Sequence, residues 1–250
     1  MLYQIISASL IGGVLSLAGG FVLLWREKFA KKISLYLVSF AAGSLLGAAF
    51  LEIIPEAYEG IGETAFMYVV TGIVLIFVFE KFLGWYHHHD QSHSTEIFEH
   101  TYSAQTVIFG DAIHNFIDGI AITLGFLVSF DVGLTTTVAV FLHEIPQEIG
   151  DFGVLIRRGY SRAKIIFYNL VTAFTTVVGS ILAYFIMPFL PSSVMFFALS
   201  IAAGVFIYIS TSDLIPELRE HSNGKLDIGH AAALVCGIVS VALLSTLTSH

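Results

Sequence analysis

Apolar residues in this chain fall into long, nearly unbroken runs, with neither the one-sided stripe of a soluble helix nor the alternation of a half-buried strand. The runs are separated by short charged or Gly-, Pro- and Ser-containing breaks. They predict eight helices, at about 2–25, 34–57, 65–86, 104–128, 133–157, 162–187, 193–217 and 228–247. Each is close to the roughly 20 residues that an α-helix needs to cross the hydrocarbon core of a bilayer. The pattern therefore predicts an all-α integral membrane protein with eight transmembrane helices, surrounded by lipid. The break around Pro188 and Pro191 is a turn, because neither flanking helix can extend through two prolines. Residues 87–103 are the only sizeable polar linker, so the whole of 1–250 reads as a single transmembrane domain.

Composition agrees. Hydrophobic residues make up 56% of the chain and charged residues only 12%, and the mean hydropathy is +0.84. A soluble domain would carry about 25% charged residues. The net charge of −8, with no Lys/Arg-rich stripe, excludes a nucleic-acid partner. A single cysteine, Cys236, offers neither a disulfide framework nor a thiolate metal site, and reads as a packing residue. No removable signal peptide is expected, since the start lacks a basic region and its apolar stretch is long enough to span. All 11 Lys and Arg fall at the first, third, fifth and seventh loops. Basic residues mark the cytoplasmic side, so both termini are expected outside.

An internal repeat accompanies this topology. Ala41-Ala42-Gly43 and Glu52-Ile53-Ile54-Pro55-Glu56 in the second helix recur as Ala202-Ala203-Gly204 and Asp213-Leu214-Ile215-Pro216-Glu217 in the seventh, 161 positions later. Five helix steps separate the copies, so they run in opposite directions. The expected architecture is 3+2+3, with helices 1–3 and 6–8 as inverted repeats around a central pair, a construction common among transporters. The repeat places Glu52 near the external mouth and Asp213 near the cytoplasmic one, as candidate relay positions for a cation. Glu56 and Glu217, at the helix ends, reach interfacial water.

The chemistry is concentrated in the central pair. The fourth helix carries Asp111-Ala112-Ile113-His114-Asn115-Phe116-Ile117-Asp118-Gly119, and the fifth carries His143-Glu144-Ile145-Pro146-Gln147-Glu148-Ile149-Gly150-Asp151. A central ionisable side chain costs about 2.5–3.5 kcal/mol on insertion scales, so Glu144, Glu148 and Asp151 together cost roughly 9 kcal/mol unless a positive charge meets them. No Lys or Arg lies between Lys81 and Arg157, and a metal cation is the simplest supplier. His114 and Asp118 share one helix face, as do His143 and Gln147. Imidazole with carboxylate, without thiolate, suits Zn²⁺, Fe²⁺, Mn²⁺ or Co²⁺. The neutral amides of Asn115 and Gln147 favour an exchangeable ion over a tight structural one. Pro146 frees the carbonyl of Leu142 as a ligand or hinge, and Gly119 and Gly150 allow close helix approach.

These two motifs resemble the signatures of the Zrt/Irt-like (ZIP) family of divalent metal transporters, and the fifth-helix motif is closest to its LIV-1 form, His-Glu-x-Pro-His-Glu. The similarity extends over all eight helices. The resemblance implies transport of zinc and related ions into the cytoplasm, no organic cofactor, a homodimer, and a binuclear centre between helices four and five. By motif position, one site would use His114, Asp118, His143 and Gln147, and the second Asn115, Asp118 and Glu144. Glu148, Asp111, Asp151 and Asn169 are secondary or relay candidates. This chain departs from the family at Gln147, which replaces a stronger histidine or glutamate ligand. His87, His88, His89 and His93 lie in the 87–103 loop, expected on the cytoplasmic side, where histidines can catch an emerging ion.

Two other readings compete. The segment His143-Glu144-Ile145-Pro146-Gln147 begins like the zinc-protease motif H-E-x-x-H, but its second histidine is Gln147 and Pro146 interrupts its helix, so no enzyme is expected. A proton-coupled or channel-like cation pathway would also use midplane acids, with metal incidental. The lack of a large external domain points to a prokaryotic inner membrane.

Overall fold

The structure is a computed structural model that describes residues 1–88, 104–216, 218 and 228–248, without side-chain description at 30–32, 83–88, 104–107, 157 and 247–248. Every regular element among these residues is helical, and they form eight rods. The first, α1, is Leu2–Trp25. The second, α2, runs through Glu27–Gly47, Ala48–Ile53 and Ile54–Ile61. It is followed by α3 (Thr64–His88), α4 (Ala104–Val128), α5 (Phe130–Arg157) and α6 (Arg162–Ile186). Next, α7 comprises Ser192–Tyr208 continued by Ile209–Leu214, and α8 is Ile228–Thr248.

Seven of these rods contain stretches long and apolar enough to cross a membrane. The remaining rod, α5, has 28 residues and is about 42 Å long at 1.5 Å per residue, but His143, Glu144, Gln147, Glu148 and Asp151 dilute its apolar character. The protein is thus an all-α integral membrane protein. The helix starts differ from expectation where helices begin in polar sequence. α2 starts at Glu27 rather than near 34, because its first turns carry Glu27, Lys28, Lys31 and Lys32 before the apolar stretch opens at Ile33. α5 starts at Phe130 rather than 133, capped by the Ser129 hydroxyl, which accepts a bond from the Val132 N–H at 3.1 Å.

Three rods contain a wide turn with i→i+5 bonding: Leu10–Val14 in α1, Ala48–Ile53 in α2 and Ile209–Leu214 in α7. Such turns are uncommon and cluster at functional sites. Those of α2 and α7 occupy the positions related by the 161-residue offset, and each ends just before a proline, Pro55 or Pro216. The offset also relates two backbone contacts. A methyl group at Gly43 would overlap the Leu234 carbonyl of α8, and one at Gly204 would overlap the Val69 carbonyl of α3. The repeated Ala-Ala-Gly therefore marks where α2 meets α8 and where α7 meets α3.

The central helices are held the same way. A methyl at Gly119 of α4 would overlap the Thr176 carbonyl of α6, and one at Gly179 of α6 would overlap the Phe116 carbonyl. Small residues allow this approach in a bilayer, where packing replaces the hydrophobic drive. Gly150, expected to play the same part, does not. It is exposed, with nothing within 4 Å of an added methyl.

Gly204→Val should destabilise the bundle by more than the ~1–3 kcal/mol typical of overpacking, because its obstacle is backbone. Gly150→Val should change little beyond helix propensity. Thermal unfolding in detergent, followed by the loss of monodisperse protein, compares the two directly.

Candidate metal centre

α4 and α5 each present their polar residues on the face turned to the other. Four side chains converge there: His114 and Asp118 from α4, His143 and Glu144 from α5, with one donor atom from each lying within 4.8 Å of the others. His143 and Glu144 are fully buried, Asp118 is 1% exposed and His114 16%. His114 Nε2 lies 3.0 Å from His143 Nε2, 3.4 Å from Glu144 Oε1 and 3.6 Å from Asp118 Oδ2. His143 Nε2 is 3.3 Å from Asp118 Oδ2 and 3.6 Å from Glu144 Oε1.

These separations have a direct meaning. Zinc donors sit about 2.0–2.2 Å from the ion, so at tetrahedral corners they are about 3.3–3.6 Å apart. Five of the six edges among the four donors measure 3.0–3.6 Å. His143 is further prepared by its own helix. Its Nδ1 lies 3.1 Å from the Ala139 carbonyl, which can only accept, so Nδ1 carries the hydrogen and Nε2 offers its lone pair to the cluster. The Phe206 ring of α7, also fully buried, packs 6.1 Å from the His143 ring and closes that side against water. Neither carboxylate oxygen of Asp118 or Glu144 has a hydrogen-bond donor. Buried acids so placed need a cation or a proton.

Asn115 and Gln147, expected among the ligands, face Asp111 instead. Asn115 Nδ2 donates to Asp111 Oδ1 at 2.9 Å, and Gln147 Nε2 donates to the same oxygen at 3.3 Å. The Asn115 oxygen accepts from the Thr176 hydroxyl at 2.7 Å. Among the His, Asp and Glu side chains of the described residues, the geometry brings Glu144 together with His114, Asp118 and His143, with an amide network around Asp111 beside them. Thr176 was not foreseen. Its signal is legible in retrospect as a polar stripe on α6, Asn169, Thr172, Thr176 and Ser180, all at most 3% exposed. Asn169 itself turns back on its own helix, with Nδ2 donating to the Ile165 carbonyl at 2.8 Å.

The relay candidates lie apart from the cluster. Glu52 sits within the wide turn of α2, with Oε1 buried and lacking a hydrogen-bond partner. Asp213 sits within that of α7 and is exposed. Glu148 is fully buried with neither oxygen hydrogen-bonded, and Asp151 Oδ2 is in the same position. His87 and His88 end α3, but their side chains, like Glu217 and all of His89 and His93, lie outside the described residues.

Two histidines and two carboxylates buried in a helical membrane bundle define a membrane protein with a candidate transition-metal centre. The sequence model of the family described as "ZIP Zinc transporter" matches residues 1–101 and 86–245, so the chain belongs to the ZIP family, a family of transporters. Among curated proteins it is similar to the zinc transporter ZIP13 of Pongo abelii, 32% identical over 227 residues that cover 84% of this chain and 66% of the relative. It is 28% identical to the ZIP13 homolog of Drosophila melanogaster, over 97% of this chain and 89% of the relative. An uncharacterized zinc transporter of Schizosaccharomyces pombe is 26% identical, over 84% and 62%. The chain thus spans somewhat under two thirds of the first and last of these, by 66% and 62% of their lengths. All three organisms are eukaryotes, which leaves the expected prokaryotic membrane without support.

His143→Ala removes one donor of four, and should weaken Zn²⁺ binding to purified protein by at least the ~10–100-fold that loss of an outer-sphere partner costs. Isothermal titration in detergent measures this, and an unchanged affinity would place the ion elsewhere.

Proposed function

We propose that this protein carries divalent transition-metal ions across a membrane and into the cytoplasm, Zn²⁺ foremost, with Fe²⁺, Mn²⁺ and Cd²⁺ as further substrates. One observation carries the reading: His114, Asp118, His143 and Glu144 stand at the edge lengths of a tetrahedral zinc site in the buried middle of a membrane bundle. The ion is substrate, bound by four side chains and passed on. Asn115 and Gln147 border this site, and the second ion of a binuclear centre would draw on Asp118 and Glu144 from their side. The relatives named as zinc transporters support the same substrate class.

The arrangement we favour has eight membrane spans in a 3+2+3 order, one transmembrane domain, both termini outside, and a homodimer as the assembled form. Support for the inverted repeat comes from the matched wide turns of α2 and α7 and the matched glycine contacts at Gly43 and Gly204. Transport then proceeds by alternating access. The ion enters past Glu52, binds between α4 and α5, and leaves past Asp213 toward the histidine-containing loop. Exchange of conformation between two inverted halves converts an outward-facing site into an inward-facing one.

Flux into proteoliposomes tests this. Zn²⁺ uptake should saturate, and His143→Ala or Asp118→Ala should abolish it while leaving membrane insertion intact. Proton flux without metal uptake would replace the carrier by a proton pathway through the same acids.

A further inference from the structure

Beyond the histidine-containing cluster, α5 carries two more acids on the same face. Glu144, Glu148 and Asp151 follow at intervals of four and three residues, so Glu148 lies about 6 Å and Asp151 about 10 Å further along the helix axis. Asp111, one turn before Asn115 on α4, is 6% exposed, is tied to α5 by the Gln147 amide, and lies close enough to Glu148 and Asp151 for their charges to interact. Glu148 is the decisive residue. It is fully buried, neither of its oxygens meets a hydrogen-bond donor, and its charged neighbours Asp111 and Asp151 are themselves acids. Asp151 Oδ2 is likewise buried without a partner. Asp111 differs, because Asn115 and Gln147 both donate to its Oδ1. Those two amides hold its carboxyl in place.

We propose that Asp111, Glu148 and Asp151 form a second cation site, distinct from the histidine-containing cluster and composed of oxygen donors alone. The three acids do not close to the mutual 4.8 Å that marks the first cluster, so they hold an ion together with part of its water shell. An all-oxygen, partly hydrated site suits a hard divalent ion such as Mn²⁺, whereas the imidazoles of the first site suit Zn²⁺. The amide network links the two. Gln147 sits between them along α5 and is tied to Asp111, where a histidine would have reached for the ion. The second site rests on the transporter reading in that its ion arrives from the first, on the way to the Arg157 end of α5.

The test uses Mn²⁺ titrated into the full chain in detergent, with free Mn²⁺ read by electron paramagnetic resonance. The background is His143→Ala, which disables the first site. This protein should still bind Mn²⁺. Adding Glu148→Gln or Asp151→Asn should weaken that binding at least ten-fold. Both substitutions conserve shape, and unchanged elution and unfolding profiles establish that the fold survives. Each should keep Zn²⁺ bound through imidazole when made in the wild-type chain, as read by X-ray absorption at the zinc edge. Mn²⁺ affinity unaltered by both substitutions, or no Mn²⁺ bound before them, overturns the second site. Failure of the transporter reading is a separate result, seen as Zn²⁺ flux undiminished by His143→Ala alone.

Discussion

Acidic side chains buried without a positive partner are the constraint around which this molecule is arranged. Asp118, Glu144 and Glu148 lie in the middle of an apolar bundle, with carboxylate oxygens that no donor satisfies. In hydrocarbon such groups are expensive, and no lysine or arginine lies between Lys81 and Arg157 to offset them. The stabilising charge has to come from outside and be able to leave again. An apo bundle that already pairs its acids internally would bind a metal ion poorly. One that leaves them unpaired holds its affinity in reserve, at the expense of its own stability.

Such a site needs a rigid frame, and the frame is backbone-to-backbone contact. Glycines bring α4 against α6, α2 against α8 and α7 against α3 closely enough that no side chain intervenes. Thr176 on α6 then reaches Asn115 on α4, and Asn115 reaches Asp111, so the orientation of one amide is decided by a neighbouring helix. His143 is oriented from within its own helix by the Ala139 carbonyl and covered by Phe206. Three different helices thus decide how the donors on α4 and α5 point.

Much of this was legible in the sequence. Hydrophobic runs gave the helices because a membrane span must be both long and apolar, and the acids stood out because such runs exclude them. The limits were of two kinds. Helices that continue past the apolar region, as α2 does from Glu27, lose the signal on which their boundaries depend. Side-chain pairing was the other. Motif position suggested Gln147 and Asn115 as ligands; what it could not show is that both amide N–H groups are turned to one acid, Asp111. Gly150 was likewise expected to allow close helix approach because it is small. Small size permits a contact but does not say what stands opposite, and among the described residues nothing does at Gly150.

The wide turns of α2 and α7 have a consequence for how these helices are read as surfaces. An α-helix advances about 100° per residue, and a wide turn accommodates one residue more than its neighbours do. Each rod is therefore two helical segments spliced out of phase. Ala41 and Glu52, which a uniform helical wheel would place in a fixed angular relation, are separated by the splice, and so are Ala202 and Asp213. The segment before each turn can keep its small-residue face locked on a neighbouring helix while the wide turn itself sets the direction of its acid, Glu52 or Asp213. Removing that extra residue from either turn would restore a regular helix without rotating the segment beyond it, including Pro55 or Pro216, because the wide turn already absorbs the residue's advance of about 100°.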